Sequence, residues 1–235
     1  MPQLLIKANQ LRGCSGALEA SNFPLDEGDY GSLKCTGPFA SLLWFYSLTM
    51  VSTETEALKR LLAEQESALG SNSLQLAEYL TAIGLKLYQN SEFVEAEAPL
   101  RRALKITEAH LAVDHADLGS ACANLGMVLL AQGQYHEAES LLKKALSIQE
   151  KALGVEHLSV AAGLNHLGEM YRALCKYELA ESFFKRALEL RKRHLGETSL
   201  EVVEVLNNWG LVHFEQGRNA EAEKMFRKVL KIQEK

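Results

Sequence analysis

A period of 42 residues that never slips constrains this chain more than any other feature. Gly84, Gly126, Gly168 and Gly210 stand 42 positions apart, as do Ala96, Ala138, Ala180 and Ala222, then Glu97, Glu139, Glu181 and Glu223, and finally Leu104, Leu146, Leu188 and Leu230. Glycine makes up about 7% of protein residues, so a given glycine finds three register-matched partners by chance only about three times in ten thousand. Four such columns identify an array of one supersecondary unit, each copy contacting its neighbours, rather than a domain built around one central core.

Each unit reads as two amphipathic helices. Leu118, Cys122, Leu125 and Leu129 recur at helical spacing in the first half of one unit, and Ala138, Leu141, Leu142, Ala145, Leu146 and Ile148 in its second half. Between the halves lie Gly133-Gln134-Tyr135 and, two units on, Gly217-Arg218-Asn219, where glycine can take the positive φ that closes a helix. Only 4 prolines and 7% aromatic residues leave few helix breakers and little material for a sheet core. The fold class is therefore all-α, a solenoid of antiparallel helix pairs. The glycine column falls inside the first helix, at a cost of about 1 kcal/mol relative to alanine, so it implies close helix–helix approach. The small alanine column beginning at Ala96 is the expected counterpart.

The units are expected at 73–114, 115–156, 157–198 and 199–235. Leu69-Gly70 falls one period before Leu111-Ala112, and Leu58, Leu61 and Leu62 supply an apolar face, so 37–72 reads as a degenerate helical half-repeat or N-terminal cap. Thr53 and Glu56 have capping-box spacing for its helix. Residues 1–36 hold Gly13, Gly16, Gly28, Gly31 and Pro24 with little periodicity and are expected to be flexible. Pro99 lies within the second helix of the first unit and should distort it. Asn219 replaces the aromatic of Phe93, Tyr135 and Tyr177, and Trp209 replaces the leucine before the column glycine, so the last unit should pack differently.

A net charge of −5 and a pI near 5.9 supply no basic field, which disfavours nucleic acid and anionic membrane as partners. The most apolar segment, 39–51, is shorter than the roughly 20 residues a membrane-spanning helix needs. No secretory leader is evident, and a cytoplasmic location is expected. Seven histidines and four cysteines make neither HExxH nor any paired metal-ligand spacing, and no phosphate-cradling GxxxxGK is present. One glutamate per unit at 42-residue spacing is too regular for an acid–base pair. These patterns predict no catalytic residue, no metal site and no cofactor.

The Leu-Gly pairs Leu125-Gly126 and Leu167-Gly168, the stretches 134–139 and 144–148, and the linkers Leu153-Gly154-Val155-Glu156-His157 and His194-Leu195-Gly196-Glu197 resemble the tetratricopeptide repeat, in particular the 42-residue type of kinesin light chains. The resemblance covers about 73–235. It implies a right-handed superhelical solenoid that binds a peptide or protein segment in a concave groove, with no catalysis. The groove residues it implies are Asn124 and Met127 in the second unit, Asn165, His166, Glu169 and Arg172 in the third, and Asn207, Asn208, Leu211 and Phe214 in the fourth. Asparagine carries both a donor and an acceptor and so can hold an extended backbone, while Met127, Leu211 and Phe214 take side chains. The expected function is a protein–protein interaction scaffold or adaptor. Two alternatives stand beside it. The chain is a self-assembling structural repeat protein, forming a homo-oligomer through an uncapped C-terminal helix, or it is the regulatory repeat region of a larger multidomain protein.

Overall fold

The computed structural model describes residues 56, 57 and 59–234. The chain divides into two units, 1–64 and 65–235. In the first, the described residues are helical, with Lys59 Nζ donating to Glu56 Oε1 at 2.9 Å. Leu58, the Thr53 cap and the expectations for 1–55 lie outside the described residues.

The second unit holds four helix pairs: α1 (Leu74–Gln89) with α2 (Phe93–His110), α3 (Ala116–Ala131) with α4 (Tyr135–Leu153), α5 (Leu158–Ala173) with α6 (Tyr177–Leu195), and α7 (Leu200–Glu215) with α8 (Asn219–Gln233). Each first helix packs on its own second helix and, from α3 onward, on the second helix of the pair before it, and successive first helices also touch. This is an all-α solenoid of antiparallel helix pairs, and its core is a continuous seam shared between neighbours.

The start of each pair is fixed by one column. Ser73 and Ser199 offer Oγ to the amides of Leu76 and Val202, at 3.2 and 3.3 Å. At the same position, His115 and His157 offer Nδ1 to the amides of Asp117 and Ser159, at 3.2 and 3.1 Å. These histidines of the linkers are N-caps, each satisfying one of the amides a helix start leaves unpaired. Replacing His157 by alanine is expected to cost about 0.5–2 kcal/mol, and replacing it by serine close to nothing. Urea unfolding of the two variants checks this, and equal losses would remove the capping role.

Helix pairs turn on a second column, 91, 133, 175 and 217, where the backbone takes positive φ at Ser91 (66°), Gly133 (77°), Cys175 (56°) and Gly217 (74°). The amide one residue later reaches back to a carbonyl in the last turn, as in Gln134 N to Leu129 O at 2.8 Å and Arg218 N to His213 O at 2.8 Å. Glycine adopts this conformation without strain, and two of the four turns use it.

One expectation is corrected. The side chains that crowd the glycine column are not the alanines. A Cβ on Gly168 would lie 2.6 Å from Phe184 Cε1, on Gly210 2.7 Å from Phe226 Cε1, and on Gly126 2.9 Å from Leu142 Cδ2. The counterpart is thus the large-residue column 100, 142, 184 and 226, one helical turn beyond the alanines, which are buried on their own account. Pro99 lies inside α2, which runs through it from Phe93 to His110. In the last pair Trp209 packs against the core cluster around Phe184 and stacks on His213, with ring centroids 5.9 Å apart.

Candidate functional site

The first helices carry the residues that the tetratricopeptide resemblance assigns to a groove, and the structure sorts them into two groups. One is a polar network across α5 and α7. Asn165 is fully buried, and its Nδ2 donates to Glu169 Oε1 at 2.8 Å and to Glu204 Oε1 at 3.1 Å. Asn208 Nδ2 donates to the same Glu169 oxygen at 2.7 Å and, at 3.5 Å, to Asn165 Oδ1. Arg191, buried on α6, donates to the Glu201 carbonyl at 2.7 Å and to Glu204 Oε2 at 2.9 Å. One turn beyond Glu169, Arg172 on α5 pairs with Glu215 on α7.

The local sequence explains this network. Residues 165 and 169 are four apart on α5, and 204 and 208 four apart on α7, so each pair shares a helix face. Successive first helices adjoin, so the two faces meet. The buried Asn165 amide is thereby satisfied by the carboxylates of Glu169 and Glu204 rather than left orphaned.

The electrostatics follow from crowding. Burial, then repulsion from Glu204, pushes the Glu169 carboxyl up to about 7, against the opposing pull of Arg172, the Asn165 hydrogen bond and Arg191. Burial and the positive Arg191 push the His166 imidazole down to about 4, so the ring is neutral at pH 7, and its Nδ1 has no hydrogen-bond partner among the described residues. Burial and the two carboxylates Glu169 and Glu204 push the Tyr88 phenol up to about 12.

The second group is not consumed by internal contacts. Asn124 and Asn207 are half-buried and make no side-chain hydrogen bond among the described residues. Met127 and Leu211 are half-buried and Phe214 is 55% exposed. The ten groove residues therefore do not act alike. Asn165, Glu169, Arg172 and Asn208 are spent on the junction between α5 and α7, whereas Asn124, Asn207, Met127, Leu211 and Phe214 retain unsatisfied surface.

Sequence reasoning missed Arg191 and Tyr88. Arg191 stands in a column with Thr107 and Gln149, both also buried, and an arginine in an otherwise small or neutral buried column is the signal that could have found it. Tyr88 occupies the column of Leu130, Arg172 and Phe214, and no local pattern reports its distance to carboxylates in later units.

Each glutamate of the 97, 139, 181 and 223 column has a cation: Arg101 at 2.7 Å, Lys143 at 2.6 Å, Arg218, and Arg227 at 2.6 Å. Among the described residues no group of three or more His, Cys, Asp or Glu is placed to hold a metal ion, and no helix is long and apolar enough to cross a membrane.

Family models of the tetratricopeptide repeat match residues 76–117, 119–193 and 159–235. None of the curated proteins compared matches the chain. Among solved structures, the chain is similar to the nearly identical TPR-like repeats of a kinesin light chain type protein from Podosopora anserina. The identity is 22% and the TM-score 0.61, with 82% of this chain and 92% of that chain covered. It is also similar to BtubC (BKLC) from P. vanneervenii, at 25% identity and a TM-score of 0.59, with 80% of this chain and 73% of that chain covered.

Proposed function

Because the chain belongs to the tetratricopeptide-repeat family, we propose that it is a cytoplasmic adaptor holding a peptide or protein segment against the face built by α3, α5 and α7. The family and fold are those of protein-interaction scaffolds, typically non-enzymatic. The observation that supports the location is the free functionality of Asn124 and Asn207 beside Met127, Leu211 and Phe214. Asparagines with neither donor nor acceptor engaged, half-buried next to apolar side chains, suit an extended backbone and its apolar residues. Asn165 and Asn208 support this face from beneath by fixing α5 against α7.

The reading is tested by recovering partners on the wild-type chain and on the double variant Asn124→Ala/Asn207→Ala, with helicity and thermal midpoint matched beforehand. One set of partners is expected to disappear from the variant. Identical sets would exclude this face.

A further inference from the structure

The second helices are tied together by a repeating ion pair, and the last step of that ladder is inverted. Arg102 on α2 reaches back to Glu66 at 2.5 Å, Lys144 on α4 to Glu108 at 2.8 Å, and Arg186 on α6 to Glu150 at 2.8 Å. Each cation is 36 residues beyond its carboxylate, and the three pairs are 42 residues apart. One period further, the cation position is Lys228 on α8, and the carboxylate position is Lys192 on α6. The neighbouring acid is lost as well: Glu156, which pairs with Arg193, becomes Thr198 one period later.

At this step an open cavity of about 380 Å³ is present, lined by Lys192, Lys228 and Lys231 above Leu206 and Ile232. Among the described residues, the only carboxylate in its lining is Glu197, an exposed side chain 3.2 Å from Lys192. Among the described residues neither Lys228 nor Lys231 has a carboxylate within ion-pair distance. A patch with three ammonium groups on a chain of net charge −5 runs against the charge of the whole, and it surrounds an apolar floor.

We propose that this cavity is a docking site for an acidic segment of a partner protein, which places a glutamate or aspartate carboxylate between Lys192 and Lys228 and an apolar side chain on Leu206 and Ile232. The chain itself supplies the reason for a carboxylate: three times over, the same cation position is satisfied by a glutamate. The site lies between α6 and α8 over Leu206 of α7, and it shares no residue with the proposed first-helix face.

The substitution Lys192→Glu separates the possibilities, because it restores the ladder internally. The probe is a short fluorescein-labelled helical peptide with glutamates on one face and leucines on the other, measured by anisotropy beside a counterpart carrying lysines. The wild type binds the acidic peptide and not the basic one, and binding weakens as salt rises. Lys192→Glu is expected to weaken it about tenfold or more while raising the thermal midpoint by about 1–3 °C through the new pair with Lys228. Lys228→Glu weakens binding similarly, and Asn124→Ala/Asn207→Ala leaves it unchanged. Acidic-peptide binding that survives Lys192→Glu would overturn the proposal, as would binding lost only in the asparagine variant, which would move the peptide to the first-helix face.

Discussion

Replacing Phe184 by alanine is expected to cost about 3–5 kcal/mol, the largest loss from any single substitution considered for this chain. The ring is fully buried at the centre of the cluster formed with Leu142, Leu164, Leu167 and Ala180, and it lies over Gly168. The same contact predicts the reverse experiment. Alanine at Gly168 gains about 1 kcal/mol of helix propensity, but its Cβ meets Phe184 atoms at 2.6 and 2.8 Å, and overpacking of this kind costs about 1–3 kcal/mol. Gly168→Ala is thus expected to be neutral to destabilising, and most of its cost disappears when Phe184 is also alanine. A double-mutant cycle by urea unfolding measures the coupling; additive losses would show that the ring is not what requires the glycine.

The second large effect depends on pH. The Glu169 carboxyl titrates near 7 in the folded chain, above its value of about 4.5 when unfolded. The folded state therefore binds the extra proton between these values, and stability falls as pH rises from about 4.5 to about 7. Glutamine at 169 keeps an oxygen to accept from Asn165 and Asn208 but cannot ionise. Glu169→Gln is expected to stabilise the chain by about 1–2 kcal/mol at pH 8, after discounting for partial exposure, and to change little at pH 4. Thermal melts at the two pH values check this. An equal effect at both would assign the gain to something other than the charge.

The helix pairs are legible because burial imposes a 3.6-residue pattern that the 42-residue period repeats four times, and the glycine column announces a close approach. The partner of that column is not legible, because sequence gives the spacing along a helix, not where two antiparallel helices cross. The crossing brings Leu142, Phe184 and Phe226 over the glycines and leaves Ala138, Ala180 and Ala222 beside them. The missing amide of Pro99 does not end α2, which continues on either side of it. At the candidate site, the asparagine columns are legible as polar positions, but whether an asparagine is free depends on its neighbour across the helix junction. Asn165 meets Glu204 and is satisfied, whereas Asn124 meets no such residue and is not. The inverted ion-pair ladder is also written in the sequence, at a spacing of 36. It is invisible when columns are read only at 42.

The central claim, that a partner lies against the first helices, is tested most directly by site-specific photo-crosslinking. A photoreactive side chain is placed at Asn207, at Phe214 and, as an outer control, at exposed Lys185 on α6. Crosslinks to one partner peptide from 207 and 214, with none from 185, are the predicted result. Crosslinks from 185 alone, or equally from all three, would contradict it.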